Sequence, residues 1–392
     1  MVGEVNKIYS KAVDVNKNIG PITEVILQAT PFCNFRCTYC YLSEESRSTK
    51  ITMNPIVAAE AIKFIIESGY ANKKLVLRWH AGEPLAAGID FYEECIDLIK
   101  NIVGKDYEVI HTIQTNASYI NDNWCDFFKK HKFNVGVSID GPDFIHNKYR
   151  VFSNGQGTHK LTSRGISFLN KHQIPFEIIA VLTIDSLKYP DEVYNYFCNI
   201  GTKFIQFNIE ELEGVRNKFL MDPKIYLIKY KEFLKKIFEL QKKGSLKIRE
   251  IEERKNAIIN GKDDVVCVMN KPFFILNVDY LGNFSTYCPE LLGTKHNKYG
   301  SFILGNIYKN TIDEVLATNK FEVINSDIKA GIQKCKEECK YYFLCGGGAP
   351  GNKLSENGTF NSTETFYCKT RFQIPIDIIL SEMMEEQLIV NK

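Results

Sequence analysis

The stretch EVILQATPFCNFRCTYC, residues 24–40, decides the fold. Its first part, Glu24–Ala29, is a mostly apolar run that reads as a buried strand. Its second part is a loop that places Cys33, Cys37 and Cys40 just beyond the strand's end. Further strand-like runs follow at Leu75–Trp79, Glu108–Ile113, Val135–Ile139, Phe176–Thr183 and Lys203–Phe207. Helical patterns alternate with them. The first opens on Asn54 as N-cap with Pro55 behind it and closes near Ser68 and Gly69; others cover roughly 90–102, 121–130, 158–171 and 190–200. Six strands, each followed by a helix, predict an α/β fold: a parallel sheet with right-handed crossovers, forming a partial (β/α)6 barrel of TIM type.

In such barrels the chemistry sits at the C-terminal ends of the strands. The polar clusters of this chain fall there. The cysteines follow the first strand, HAGEP (80–84) the second, Gln114 to Asn116 the third, Ser138 to Gly141 the fourth and Asn208 to Glu211 the sixth. A long helical pattern at 223–243 comes next, and after Cys267 the texture changes to a hairpin around Leu281, Gly282 and Asn283, short helices and the sequence CGGGAPGN (345–352). Three units are expected: the barrel over 1–215, a helical linker over 216–265 and a cysteine-rich unit over 266–392.

The chain has 392 residues, and its 44% hydrophobic and 24% charged content is ordinary for a globular protein with a sizeable core. With 49 Lys+Arg against 47 Asp+Glu, the net charge of +2 gives no reason to expect a nucleic acid or an acidic membrane surface as partner. The longest charge-free run, 109–121, is too short to span a bilayer, and the first 15 residues carry no apolar signal core, which points to the cytosol. Twelve cysteines are then anomalous, because thiols stay reduced there. Cys95, Cys125 and Cys198 lie in helix-like apolar patterns and read as buried core residues. The rest cluster near the two ends.

Cys33, Cys37 and Cys40 offer three soft thiolates on one loop. Zinc would need a fourth ligand, whereas a cubane iron–sulfur cluster held by three thiolates keeps one iron open to bind a small molecule. Farther along, Cys335, Cys339, Cys345 and Cys368 supply four thiolates, enough for zinc or for a closed cluster. Gly346, Gly347 and Gly348 directly after Cys345 would let backbone N–H groups approach the sulfurs.

Taken with Tyr39 before the last cysteine, Gly82-Glu83-Pro84 after the next strand, and SIDGP (138–142), the first cluster resembles that of the radical S-adenosylmethionine (SAM) enzymes. The resemblance implies a [4Fe–4S] cluster on Cys33, Cys37 and Cys40, whose open iron is chelated by SAM and whose electron releases a 5′-deoxyadenosyl radical. It further implies that Gly82 and Glu83 bind the SAM amino group, and that Tyr39, His80, Asn116, Ser138 and Asp140 line the remainder of the SAM site.

The C-terminal segment resembles the SPASM extension of radical SAM peptide-modifying enzymes, which usually carries two auxiliary clusters on Cys-x2-Cys-x5-Cys-x3-Cys, a preceding cysteine hairpin and a following cysteine. Here the first gap is x3, Ala349 stands at the fourth core position, and only Cys267 and Cys288 represent the hairpin. The resemblance therefore implies one auxiliary [4Fe–4S] cluster on Cys335, Cys339, Cys345 and Cys368. Cys267 and Cys288 are left short of partners and read as free thiols rather than ligands of a second cluster.

Within this group the chain looks most like maturases of ribosomally made peptides that form cyclophane crosslinks in Gly-rich or repeat-bearing precursors. That implies hydrogen abstraction from a side-chain carbon of a precursor peptide and attack on an aromatic ring, with Glu210, Glu211 or Glu290 as base and a flavodoxin or ferredoxin as electron donor. With 32 residues before Cys33 and 24 after Cys368, a leader-binding domain is not expected. Two other readings stand beside this one. An anaerobic sulfatase maturase would oxidise Ser or Cys to formylglycine, although that family has Asp where Pro289 follows Cys288. A metal-bearing protein that only binds a peptide would not cleave SAM.

Overall fold

The computed structural model describes residues 19–212, 214, 222–260 and 267–390. The N-terminal segment and the expected unit boundaries at 215 and 265 lie outside the described residues.

Six strands, β1 (Ile22–Leu27), β2 (Ala71–Trp79), β3 (Glu108–Thr115), β4 (Asn134–Ser138), β5 (Phe176–Leu182) and β6 (Phe204–Ile209), lie side by side in chain order and all parallel. The helices expected between them are present, at Pro55–Glu67, Ile89–Val103, Asp122–His131, His159–Lys171 and Pro190–Asn199. Two of them start on a capping side chain. Asn54 accepts from the N–H of Ile56 with Pro55 in the first turn, and Asn121 caps Trp124. Their apolar faces then close on the sheet: Trp79 meets Tyr92 edge-on at 5.0 Å, and Tyr92 meets Trp124 at 5.7 Å.

The sheet does not end where the barrel pattern ends. Beyond β6 a two-residue strand β7 (Lys247–Ile248), in the span expected as a linker, continues it in parallel. On the other side β8 (Ile275–Val278) pairs in parallel with β1, from Glu24 opposite Ile275 to Leu27 opposite Val278. β9 (Asn283–Thr286) folds back on β8 through the expected hairpin, and the pair Gly305–Asn306 completes a ten-stranded sheet. Flanked on both edges, β1 is buried along its whole length.

Two expectations fail. The cysteine-rich unit contains a 20-residue helix, Asn319–Glu338, where short helices were expected; Thr318 caps it and a row of Phe321, Ile324, Ile328 and Cys335 buries one face. Cys198 is exposed, because the helix Pro190–Asn199 turns Val193, Tyr194 and Phe197 inward and carries its next residue to the outer side; Cys95 and Cys125 are buried as expected.

One buried ion pair fastens the two ends together. Glu250, 1% exposed, accepts from the N–H of Phe207 on β6 at 3.1 Å and pairs with Arg371, three residues after Cys368. Removing one member of such a pair leaves an uncompensated charge indoors. Arg371→Met should therefore destabilise the fold by about 3–5 kcal/mol in denaturant unfolding, and adding Glu250→Gln should recover part of the loss.

Candidate functional site

The loop after β1 has no regular structure, so its neighbours hold it. The N–H groups of Cys33, Arg36 and Thr38 donate to the carbonyls of Arg47, Val151 and Tyr149, and Arg47 Nη1 reaches the carbonyl of Cys37 at 3.2 Å. From the second strand's end, the N–H of Glu83 donates to Phe32 O at 2.7 Å. Gly82 is what permits that approach: it has φ +65°, and a Cβ there would lie 2.3 Å from Thr30 O and 2.7 Å from Phe32 O. Ala81 beside it also holds a positive φ of 71°.

Cys33, Cys37 and Cys40 open onto a cavity of about 260 Å³ at the C-terminal rim, whose wall also contains Tyr39, His80, Gly82, Glu83, Asn116 and Ser138. These are the residues expected together from sequence. Glu83 is 1% exposed and both its oxygens are engaged, Oε1 by Leu85 N and Thr115 Oγ1 and Oε2 by Asn116 N; burial lifts it to about 7 against those bonds. Burial also lifts Cys33, to about 12, and Cys37, to about 11, while Arg150 and Arg47 pull Cys37 back toward the thiolate. His80 is held neutral, lowered to about 4 by burial and by the charge of Arg78, and its Nδ1 is buried without a hydrogen-bond partner.

Asp140 is not in the wall. It stands one layer behind, where Oδ1 accepts from Val181 N at 2.9 Å and Oδ2 receives the Tyr39 hydroxyl and pairs with Arg150 Nε at 3.0 Å. The group it presents to the cavity is Arg150, buried and set over the Tyr39 ring at 5.4 Å. Sequence reasoning missed Arg150, since a lone arginine at the end of the short helix Asp143–Tyr149 carries no motif.

Glu210, Glu211 and Glu290 all reach the same wall. Glu290 is raised to about 7 by burial, with the charge of Glu211 adding to it, and Asn352 Nδ2 donates to Glu211 Oε2 at 2.8 Å. Glu290, His80, Ala81, Tyr41 and Leu42 are shared with a second cavity of about 290 Å³ that runs past Gln28, Asn277 and Thr294. Asn277 on β8 is 1% exposed, and its Oδ1 is buried without a partner.

In the C-terminal unit, Cys267, Cys335, Cys345 and Cys368 form one electrostatic group: burial raises Cys345 and Cys267, and the charges of Cys368, Cys267 and Cys335 add to the rise of Cys345 and that of Cys368 to the rise of Cys267. Cys267 was expected outside this group. It is brought in by Asn270, whose Nδ2 donates to the carbonyls of Gly346 and Gly348 at 2.8 and 3.3 Å and so ties the turn after Cys267 to the glycine loop. Cys339, expected inside, caps the helix Asn319–Glu338 with its N–H on Cys335 O, and its charge bears on Tyr341. Gly347 N donates to Cys345 Sγ at 3.4 Å, the approach the glycines were expected to allow. Cys288 packs with Tyr287, Leu291 and Phe360 in an apolar cluster. Among the described residues no three His, Cys, Asp or Glu side chains close on a single ion; a cubane gives each thiolate its own iron.

Gly82→Ala should cost about 1–3 kcal/mol by crowding the Thr30–Phe32 backbone. It should also make Cys33, Cys37 and Cys40 react faster with a thiol reagent in the metal-free protein, whereas Gly69→Ala, with open space around it, should leave those rates unchanged.

The sequence profile of the Radical SAM superfamily matches residues 27–197. The uncharacterized protein sll1766 of Synechocystis is 38% identical over 98% of both chains. A cysteine-type anaerobic sulfatase-maturating enzyme of Clostridium perfringens is 30% identical over 84% of this chain and 88% of its own length. The solved structure of native anSMEcpe with bound AdoMet and the Cp18Cys peptide superposes with a TM-score of 0.76 at 25% identity, covering 94% of this chain and all of that one. SAM and [4Fe–4S] clusters are the cofactors these likenesses bring. The site fits them, with three thiols on one loop, a buried guanidinium suited to a carboxylate and an unpartnered His80 Nδ1 in the wall. The chain is a SAM-dependent enzyme of the radical SAM superfamily, in the SPASM-type family that includes the anaerobic sulfatase-maturating enzymes.

Proposed function

We propose that this enzyme oxidises one side-chain carbon of a peptide in the cytosol, removing a hydrogen atom, a proton and an electron, as formylglycine formation requires. The observation that carries it is the position of Glu290: a buried carboxyl raised toward neutrality, in the wall shared by the cavity of the three-cysteine loop and the second cavity. The named relatives support the aldehyde-forming chemistry over the crosslink expected from sequence.

In this reading Cys33, Cys37 and Cys40 hold the SAM cluster, and Arg150 takes the SAM carboxylate while Gly82, Glu83 and Asn116 shape the rest of its site. Cys335, Cys345, Cys368 and Cys267 hold the auxiliary cluster. When bound, SAM with its reduced cluster supplies the radical that takes the hydrogen atom, and the auxiliary cluster supplies a sink for one electron. Glu290 receives the proton from the substrate's hydroxyl, which gives the aldehyde directly, or from its thiol, which gives a thioaldehyde that water converts to the aldehyde with release of hydrogen sulfide. The peptide lies in the second cavity, where Asn277 Oδ1 accepts a main-chain N–H. An external donor such as flavodoxin or ferredoxin reduces the SAM cluster.

A crosslink to an aromatic ring is the second reading, favoured by one departure: Pro289 stands where the sulfatase-maturase pattern places its Asp base, and the acid comes one residue later. A peptide containing Ser, Cys and Tyr separates the two. An aldehyde that couples to a hydrazide marks formylglycine; a product two hydrogens lighter and silent to hydrazide marks the crosslink; absence of 5′-deoxyadenosine under dithionite overturns both.

The base must be ionised to work, so kcat should rise with pH through about 7, the value to which burial lifts Glu290 in the company of Glu211, Glu210 and neutral His80. Glu290→Gln should lower kcat by roughly 10²–10⁴ and flatten that limb, leaving SAM affinity intact. A profile unchanged in Glu290→Gln would assign the proton to another group.

A further inference from the structure

Lys353 is 2% exposed, in the helix Pro350–Asn357, whose first turns are buried throughout. A lysine so deep in a protein is rarely without a counter-charge. Its Nζ donates to Gly331 O at 3.0 Å and to Cys335 Sγ at 3.2 Å, with no carboxylate at hydrogen-bond distance among the described residues. The group that faces the Lys353 ammonium is therefore the sulfur of Cys335 rather than a carboxylate.

We propose that Lys353 is the resident counter-ion of the auxiliary cluster and raises its reduction potential, so that the cluster is poised to accept an electron. This rests on the reading that Cys335 and its neighbours ligate that cluster. The physical reason is charge balance. One-electron reduction adds a negative charge inside a low-dielectric region, and an ammonium hydrogen-bonded to a ligand sulfur stabilises the reduced form more than the oxidised one. The adjacent residue, Asn352, holds Glu211 in the wall of the three-cysteine cavity, so one turn of helix touches both the acid cluster and the auxiliary thiols. Lys353 is a positioning and tuning residue, since it acts through the cluster rather than on substrate.

The test uses the full chain, reconstituted with iron and sulfide, in a background carrying Cys33→Ala, Cys37→Ala and Cys40→Ala so that only the auxiliary signal remains. The midpoint potential is read by electron paramagnetic resonance during a reductive titration. Lys353→Met should lower the reduced-to-oxidised ratio at fixed potential at least tenfold, a shift of ~59 mV for a one-electron couple. Lys353→Arg should hold the parent's potential within a third of that shift, and Lys353→Gln provides the neutral side chain should the Met variant assemble no cluster. Unchanged potentials in the neutral variants would overturn the proposal. So would an equal fall in Lys353→Arg, which would mark a packing role. A parent that binds no iron and sulfide would instead overturn the cluster reading on which the proposal stands.

Discussion

The cysteine loop after β1 has no regular structure and is fastened by hydrogen bonds to other segments, so its shape depends on an approach of two backbone segments that only a missing side chain allows. At Gly82 the second strand's end presses against Thr30 and Phe32, and the N–H of Glu83 completes the contact. From there the constraint spreads. Glu83 caps the turn Pro84–Ala87 with one oxygen and takes the N–H of Asn116 with the other, so the rims of the second and third strands are set by the same carboxylate. Asn116 in turn bonds Asn34 inside the cysteine loop, which closes the circuit.

Much of this was legible in the sequence, for reasons that can be named. Strands buried on both faces appear as short continuous runs of Val, Ile and Leu, and Asn54-Pro55 marks a helix start without ambiguity. The rim position of every polar cluster follows from chain direction alone. What escaped was whatever depends on which side of a wall a side chain faces. Asp140 and Arg150 are ten positions apart, and only the folded chain shows the carboxylate behind and the guanidinium in front. Cys198 lies next to Phe197, which is fully buried, yet one step around the helix reversed its environment. That the turn after Cys267 lies against the glycine loop depends on a long-range bond from Asn270, which spacing cannot reveal.

Two electrostatic regimes meet near Glu211. On the barrel side, burial pushes the carboxyls of Glu83 and Glu290 toward protonation. On the other, a buried lysine is turned to the sulfur of Cys335. Asn352 and Lys353 are neighbours in the chain and stand one in each regime. A single short helix thus keeps the acid cluster and the thiol group in fixed relation.

The pairing of β8 with β1 has a consequence for how such a protein can change over generations. A cysteine-rich unit joined only by a tether could be traded between barrels as a cassette. Here its first strand hydrogen-bonds along the barrel's own first strand, so deleting it would bare a long hydrophobic edge ready to recruit strands from other molecules. The barrel and the cysteine-rich unit are grafted at the level of the sheet, and new substrates would have to be acquired by reshaping rim loops rather than by exchanging modules.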